Sequence, residues 1–183
     1  MIKEQLKKQE IGIVTKQDIS ENQVKTVFLG IGSNLGNRNR NIELSKFKLY
    51  LENIEIIKCS SNYETPSWPD PRKPKFINIV LKIKTYLSPQ KLLELCKKIE
   101  RELGRKKRNK NDPRECDIDI IDYSGLILNK DIVLPHTLMH QRNFVLIPLY
   151  EIQKDWKHPK LKRNIKDLIN QLPNKDIRSI KQI

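Results

Sequence analysis

The chain has 183 residues, of which 37% are hydrophobic and 32% charged, and its formal net charge is +14. This length fits one ordinary domain, the composition excludes a wholly disordered chain, and no apolar run approaches the roughly 20 residues that a membrane-spanning helix needs. The positive charge favours an anionic partner such as a nucleotide, a membrane surface or a nucleic acid, but the lysines are spread along the whole chain and aromatic residues are few.

Residues 1–25 mix Lys, Glu and Gln with isolated apolar residues and carry no strong strand or turn signal. We interpret them as an extension or linker ahead of a single domain over 26–183. They lack the apolar core of a signal peptide, so we expect an intracellular, cytoplasmic protein. The three cysteines form no CxxC pair, which favours small buried thiols over a disulfide framework or a zinc site.

A short apolar run over 27–31 predicts a buried first strand, which runs into the glycines of GIGSNLG. Two interpretations of these glycines stay open, a phosphate-binding loop or a turn that lets strand and helix pack closely. The sequence fits neither GxxxxGK(S/T) nor GxGxxG, which favours the turn. A helix over 38–52 and a second strand over 54–63 are expected to follow.

The segment 64–75 contains four prolines and Trp68, and it cannot be helical because proline lacks an amide donor and fixes φ. It is either a lid or pocket wall, or a surface connection with Trp68 at the edge of the core. In the next segment, 76–85, the apolar residues Ile77, Ile79, Leu81 and Ile83 occupy every second position, and this alternation predicts a half-buried strand. At the start of this strand Phe76 and Asn78 lie on the same face, where they could stack on a flat heterocycle and hydrogen-bond to it.

The next helix has clear boundary signals: Ser88 suits the N-cap, Pro89 the first position and Gly104 the C′ position. A basic loop then leads into a strand over 116–123. On that strand Asp117 and Asp119 lie on one face, with Cα atoms about 6.6 Å apart.

This aspartate pair is the sharpest chemical signal in the chain. Two carboxylates on one face are costly to bury without a cation, and Mg²⁺ binds one or two carboxylates together with water and phosphate oxygens. The alternative is an exposed face that forms salt bridges with nearby lysines. The adjacent loop favours the metal, because Arg105 and Arg114 can hold phosphate in bidentate fashion while Lys107 acts as a point charge. The residues alone predict a Mg²⁺-dependent enzyme that acts on a nucleotide.

Beyond the aspartates, residues 126–128 are expected to pair back as a hairpin, an apolar segment begins at Phe144, and a short helix over 165–172 precedes a basic tail. The order of elements, β-α-β-β-α-β, predicts an α+β sandwich with one sheet and helices packed on it.

Several long motifs carry a resemblance to a known family: LGIGSNLGNR (29–38), SSNYETP (60–66), FIN (76–78), IERELGR (99–105), DPRECDIDII (112–121), LPH (134–136) and MHQRNFVLIPLYEI (139–152). Over roughly 26–156 the chain resembles 6-hydroxymethyl-7,8-dihydropterin pyrophosphokinases. The resemblance implies a ferredoxin-like, mainly antiparallel fold. It also implies transfer of pyrophosphate from ATP to the pterin alcohol in folate biosynthesis, with AMP as the other product.

The resemblance also implies roles for individual residues. Two Mg²⁺ ions would be held by Asp117 and Asp119, which with Arg105 and Arg114 would form the catalytic group. ATP would contact Leu93, Glu100, Arg105, Lys107, Arg114, Ile120, His136 and Arg142. The pterin would stack between Phe76 and Phe144, with Thr65, Pro66, Trp68 and Asn78 around its edge.

The chain departs from the family pattern at several positions. Lys107 stands in place of the usual arginine, residues 111–112 in place of Trp-Gly, and Trp68 in place of a smaller apolar residue, while Asp131 and Val133 occupy adenine-side positions. A relative that binds pterin with weakened transfer, and a basic nucleic-acid-binding module, are the alternatives. The second leaves the aspartate pair unexplained, so we expect small-molecule substrates and no nucleic-acid or membrane partner. Fusion to, or association with, other folate-pathway enzymes stays open.

Overall fold

A computed structural model describes residues 23–106 and 111–183. The strands are β1 (Lys25–Ser33), β2 (Glu55–Cys59), β3 (Tyr63–Thr65), β4 (Phe76–Thr85), β5 (Asp117–Tyr123), β6 (Leu128–Lys130), β7 (Ile132–Leu134) and β8 (Lys181–Gln182). The helices are α1 (Arg38–Leu51), α2 (Pro89–Glu102), α3 (Asn143–Ile152), α4 (Ile165–Asn170) and α5 (Asn174–Ser179), with a 3₁₀ turn at Met139–Gln141. The expected extension over 1–25 lies almost wholly outside the described residues. Within the described part of the chain, no helix is long and apolar enough to cross a membrane.

The main sheet has the strand order β5-β1-β4-β3-β8, with β2 paired to the other half of β4. All of these pairings are antiparallel. β4 lies at the centre because it pairs along its whole length with β1 on one side and with β2 and β3 on the other. The predicted α+β sandwich with a mainly antiparallel sheet is confirmed.

The boundary signals of α2 act as predicted. The Ser88 side chain accepts a hydrogen bond from the Lys91 amide, Pro89 occupies the first helical position, and Gly104 follows the C-cap with φ +99°. Glycine is favoured there because a Cβ is strained in the left-handed region. The chain therefore reverses at once, and Arg105 returns toward the sheet.

Helical layers cover both faces of the sheet. Ile77, Ile79, Leu81 and Ile83 of β4 belong to a core shared with α1 and α2, whereas Val80 belongs to a second core shared with α3 and α4. The prediction of a half-buried β4 is therefore wrong, because the apolar segment that begins near Phe144 is a helix that packs on the other face.

Three further expectations need correction. The strand predicted over 54–63 is two strands, because Ser60 turns inward and bonds both the amide and the carbonyl of Val80. Leu128 pairs with Leu134 in a separate β6–β7 hairpin and not with β5. The basic tail forms α5 and the edge strand β8. Of the cysteines, Cys96 and Cys116 are buried as expected, but Cys59 is exposed.

Candidate active site

A cavity of about 530 Å³ opens where β1, β4 and β5 meet the start of α3. Its rim is formed by the proline-rich segment and by the described part of the basic loop. Most of the predicted site residues line it: Thr65, Pro66, Trp68, Phe76, Asn78, Arg105, Arg114, Asp117, Asp119, His136, Arg142 and Phe144. The proline-rich segment is thus a pocket wall, and Trp68 is not buried at the edge of the core.

The floor of the cavity is kept open by two glycines of β1. Gly32 lies opposite Asp117 on one side and Asn78 on the other, and a Cβ at Gly32 would lie 2.9 Å from the Asn78 Oδ1 atom. A Cβ at Gly30 would lie 3.1 Å from the Ile121 side chain. Both glycines lie within the strand, so the predicted turn role is wrong for them.

The aspartate pair lies in this cavity, with arginines and a histidine as neighbours. The Asp117 carboxylate contacts Arg105 Nη1 at 2.6 Å and Arg114 Nη1 at 2.9 Å. Asp119 Oδ2 lies 3.9 Å from both His136 Nε2 and Arg142 Nη1. Desolvation in the cavity, followed by the charge of Asp117, raises the pKa of Asp119. The alternative of an exposed face paired with lysines is therefore wrong.

Arg105 is held between two carboxylates. Its Nη1 atom lies 2.6 Å from Asp117 Oδ1 and 2.6 Å from Oε2 of Glu100, whose side chain is buried on α2. The other Glu100 oxygen accepts hydrogen bonds from the Ile118 amide at 2.7 Å and from Lys97 Nζ at 2.8 Å. Glu100 therefore joins the end of α2 to the strand that carries both aspartates.

His136 is placed beside β5 by its amide, which donates to the Ile121 carbonyl at 3.0 Å. Its Nδ1 atom accepts a hydrogen bond from the Leu138 amide, so in the neutral ring Nε2 carries the proton and faces Asp119 and Arg142. Burial lowers the pKa of His136 in spite of the nearby Asp119 charge. Burial therefore disfavours the imidazolium form of His136 beside Arg142.

Aromatic and amide side chains line the same cavity and form a wall of their own. Asn78 is buried and its Nδ2 atom donates to Thr65 Oγ1 at 2.9 Å, which fixes the orientation of the carboxamide. The Arg142 guanidinium lies between two rings, 5.2 Å from the Trp68 centroid and 5.5 Å from the Phe144 centroid. This wall has the flat, partly polar character that a heterocycle requires.

The two loops at the rim are tied together. Lys73 Nζ donates to the Asn111 carbonyl at 2.9 Å and to Asp112 Oδ1 at 3.2 Å. Asn34 also bridges them, since its Nδ2 donates to the Pro74 carbonyl and its Oδ1 accepts from the Arg114 amide. Residues 111–112, which depart from the family pattern, therefore supply contacts of their own. Sequence reasoning missed Lys73 and Asn34 as residues that join the two loops, although Asn34 follows the conspicuous glycines of GIGSNLG.

Three predicted ATP contacts lie outside the cavity lining. Ile120 is buried between the sheet and α2, Leu93 packs against the same core, and Glu100 acts through Arg105. Lys107 lies outside the described residues. Within the described part of the chain, no three His, Cys, Asp or Glu residues form a metal-binding group.

Comparison with known proteins gives consistent matches. Residues 28–154 match the model of the 7,8-dihydro-6-hydroxymethylpterin-pyrophosphokinase (HPPK) family. The 2-amino-4-hydroxy-6-hydroxymethyldihydropteridine pyrophosphokinase of Aquifex aeolicus is 43% identical over 143 residues, which cover 78% of this chain and 89% of that protein. The folic acid synthesis protein FOL1 of Dictyostelium discoideum is 40% identical over 149 residues, which cover 81% of this chain but only 22% of that protein.

Solved structures match the fold. A Plasmodium falciparum HPPK-DHPS triple mutant with pteroate has a TM-score of 0.69 at 16% sequence identity, and the match covers 89% of this chain and 47% of that one. The wild-type Plasmodium falciparum HPPK-DHPS has a TM-score of 0.63 at 16% identity, with coverage of 81% and 45%. This chain thus spans about half the length of these structures.

Proposed function

This chain belongs to the 7,8-dihydro-6-hydroxymethylpterin-pyrophosphokinase family, and we propose that its cavity transfers pyrophosphate from ATP to 6-hydroxymethyl-7,8-dihydropterin. The products are the pterin diphosphate and AMP, in folate biosynthesis. One observation carries the proposal: a carboxylate pair with arginine neighbours and a set of aromatic and amide side chains line a single cavity. Phosphoryl-type transfer requires cationic side chains and carboxylates that can hold a metal and phosphates. A pterin requires aromatic rings to stack on and an amide to hydrogen-bond to its edge.

We assign the metal to Asp117 and Asp119. Their oxygens are the hard donors that Mg²⁺ prefers, and two carboxylates are the usual protein share of its coordination, with water and phosphate oxygens completing it. Two ions are proposed, and when bound they neutralise charge on the transferring phosphates. The geometry supports this assignment, since both carboxylates line the cavity and, among the described residues, Asp119 Oδ2 lies no closer than 3.9 Å to the nearest basic side chains, His136 and Arg142.

ATP is proposed to place its phosphates among Arg105, Arg114, Arg142, His136 and Lys107. Arg105 and Arg114 contact Asp117 in this structure, and with ATP and metal bound we expect both to turn their donors toward phosphate oxygens. Leu93, Glu100 and Ile120 are also proposed to lie near the bound nucleotide.

The pterin is proposed to stack between Phe76 and Phe144, while Asn78 and Thr65 read its edge, and Pro66 and Trp68 close over it. Its hydroxymethyl oxygen attacks the β-phosphorus, and the bond from that phosphorus to the α-phosphate bridging oxygen breaks as AMP leaves. No side chain is assigned as general base. Positioning and preorganised positive charge supply the catalysis, and the closed rim excludes water from the phosphoanhydride.

Fusion to, or association with, another folate-synthesis enzyme is proposed from the relatives alone. The matched region covers about a fifth of the Dictyostelium FOL1 protein, and the similar Plasmodium structures are HPPK-DHPS chains. Co-purification of the full-length natural protein with a second enzyme activity would support it.

The test of function is AMP release from ATP and Mg²⁺, with and without 6-hydroxymethyl-7,8-dihydropterin, for the wild type and for Asp119→Asn. We expect pterin-dependent AMP from the wild type and a loss of at least about 100-fold in the variant, because one metal ligand loses its charge. Chelation with EDTA should abolish the wild-type activity, and Mg²⁺ should restore it.

Thermal unfolding serves as the control for folding. Asn has nearly the shape of Asp and relieves the desolvation that raises the pKa of Asp119, so the variant should unfold at the same temperature or higher. A folded, ATP-binding wild type without pterin-dependent AMP would refute the proposed reaction.

A further inference from the structure

The carboxy-terminal segment 173–183 contacts two parts of the cavity wall that are far apart in sequence. It lies beyond residues 28–154, which match the family model. Building on the function proposed above, we propose that Asn143 and this segment form a brace that positions Phe144 and β3 for pterin binding. Asn143 is thus a positioning residue, since it acts through Phe144 and not by touching substrate.

The first contact of the brace is at the start of α3. Asn143 is buried, with 8% of its surface exposed, between the site residues Arg142 and Phe144. Its Nδ2 atom donates to the Asp176 carbonyl at 2.5 Å and to Ser179 Oγ at 3.2 Å. Its Oδ1 atom accepts a hydrogen bond from the Phe144 amide at 2.7 Å. One carboxamide therefore links the backbone of Phe144 to α5.

The second contact is at β3, which ends at the predicted pterin residue Thr65. β8 pairs with β3, so that Gln182 lies opposite Tyr63 and Lys181 opposite Glu64. The Ile183 amide donates to the Asn62 carbonyl at 2.9 Å, and Gln182 Nε2 donates to Ser61 Oγ at 2.9 Å. The segment thus spans from Phe144 to the strand that precedes Thr65.

The brace contributes little to the core. α5 has no buried residue, and of its side chains only Ile177 packs partly against the second core. Hydrogen bonds therefore account for much of its attachment, and these fix geometry more than they stabilise the fold. Loss of the brace should consequently affect ligand positioning more than global stability.

The brace is also one-sided. Arg105, Arg114 and Asp117 are placed by α2, β5 and their mutual ion pairs, and residues 173–183 are absent from the lining of the cavity. The adjacent Arg142, a proposed phosphate contact, has contacts of its own, because its amide donates to the Met139 carbonyl and its guanidinium lies over the Trp68 ring. A damaged brace should therefore weaken pterin binding more than ATP binding.

The experiment measures the steady-state kinetics of four full-length proteins: the wild type, Asn143→Ala, Asn143→Asp and the control variant Arg163→Ala. Arg163 donates an exposed hydrogen bond to Gln171 in the same carboxy-terminal region and is absent from the lining of the cavity. Asn143→Ala loses both links, and we expect a rise of about threefold to tenfold in the pterin KM with the ATP KM within about twofold. Asn143→Asp keeps the acceptor for the Phe144 amide but places a carboxylate oxygen against the Asp176 carbonyl oxygen, so it should raise the pterin KM at least as much as Asn143→Ala.

Hydrogen exchange of the substrate-free proteins gives a readout that does not depend on activity. Asn143→Ala should speed exchange in the peptides around Phe144 and around 62–66, and Arg163→Ala should leave both unchanged. Deletion of 174–183 should reproduce the change at 62–66. Wild-type exchange in Asn143→Ala, or equal rises in the KM values of pterin and ATP, would overturn the brace. An inactive wild type with the predicted exchange changes would refute the proposed function and leave the brace in place.

Discussion

The guanidinium carbon of Arg142 lies 5.2 Å from the centroid of the Trp68 ring. Arg142 comes from the turn before α3 and Trp68 from the proline-rich wall, so this contact joins a proposed phosphate-binding cation to the proposed pterin side. Phe144 lies on the guanidinium from another direction at 5.5 Å.

We predict that Trp68→Leu lowers kcat/KM for the pterin by about threefold to tenfold, because loss of a cation–π contact of about 0.5–1.5 kcal/mol leaves Arg142 less well oriented. Trp68→Phe keeps an aromatic face and should retain most of the activity. Steady-state kinetics with varied pterin measures both. Equal activity of the Leu and Phe variants and the wild type would show that the ring contact has no role in turnover.

Gly32→Ala should displace the amide that is proposed to read the pterin. The new Cβ would lie 2.9 Å from Asn78 Oδ1 and 3.3 Å from the Phe76 ring. Both neighbours must shift, so we expect a several-fold higher pterin KM and about 1–3 kcal/mol of lost stability. Pterin titration and urea unfolding measure the two effects.

Gly30→Ala is the matched comparison on the same strand. Its Cβ would meet only the Ile121 side chain, at 3.1 Å from the terminal Cδ1 atom. It should therefore change the pterin KM less than Gly32→Ala does. The reverse order would contradict the role assigned to Asn78.

Local signals in the sequence were sufficient for α2, for the bounds of β4 and for the aspartate pair. Ser88, Pro89 and Gly104 each act through their own backbone geometry, so their effect is readable without the fold. The inward turn at Ser60 and the burial of Val80 depend instead on which layer packs on β4. No periodicity of a single segment contains that information.

The bulge in β5 is a second feature that only the tertiary structure reveals. Between Phe28 and Leu29 the pairing of β1 and β5 shifts by one residue. Ile121 and Asp122 consequently both meet the second layer, where Asp122 accepts the indole hydrogen of Trp156 at 2.8 Å. Strict alternation places Asp117 and Asp119 correctly because they precede the bulge.

Glu100 should affect both stability and nucleotide use. Glu100→Ala leaves Lys97 and Arg105 without their buried partner and the Ile118 amide without its acceptor, so we expect a loss of about 3–5 kcal/mol in the free energy of unfolding. Glu100→Gln retains an acceptor for the Ile118 amide, so its free energy of unfolding should fall less than that of Glu100→Ala. Both variants should raise the ATP KM, because Arg105 loses one of its two carboxylate partners.

Glu102→Gln is the control for the change of charge, since Glu102 lies on the same helix and, among the described residues, forms its ion pairs with Lys48 and Lys98 at the surface. Its free energy of unfolding, measured with urea, and its ATP KM should both stay close to those of the wild type. An equal effect of Glu100→Gln and Glu102→Gln would show that net charge, and not the buried contacts, accounts for the change.

His158 makes the stability of the carboxy-terminal region depend on pH. Its ring is buried, and its Nδ1 atom accepts hydrogen bonds from the amides of Lys160 and Leu161, both at 3.1 Å, which requires an unprotonated Nδ1. Burial, followed by the charge of His140, lowers the pKa of His158 from its ordinary 6.5 to about 4. The unfolded chain therefore binds this proton below about pH 6.5 while the folded chain resists it until about pH 4.

The free energy of unfolding should accordingly be highest above pH 6.5 and fall, by up to about 3 kcal/mol from this group, as the pH drops to about 4. His158→Asn supplies an acceptor at nearly the same position but does not titrate, and the carboxylates titrate alike in both proteins. The difference in unfolding free energy between wild type and His158→Asn, measured with urea at intervals from pH 7 to pH 4.5, should therefore shift steadily in favour of the variant as the pH falls. A difference that stays constant across this range would mean that His158 takes up its proton equally readily in the folded and unfolded chains.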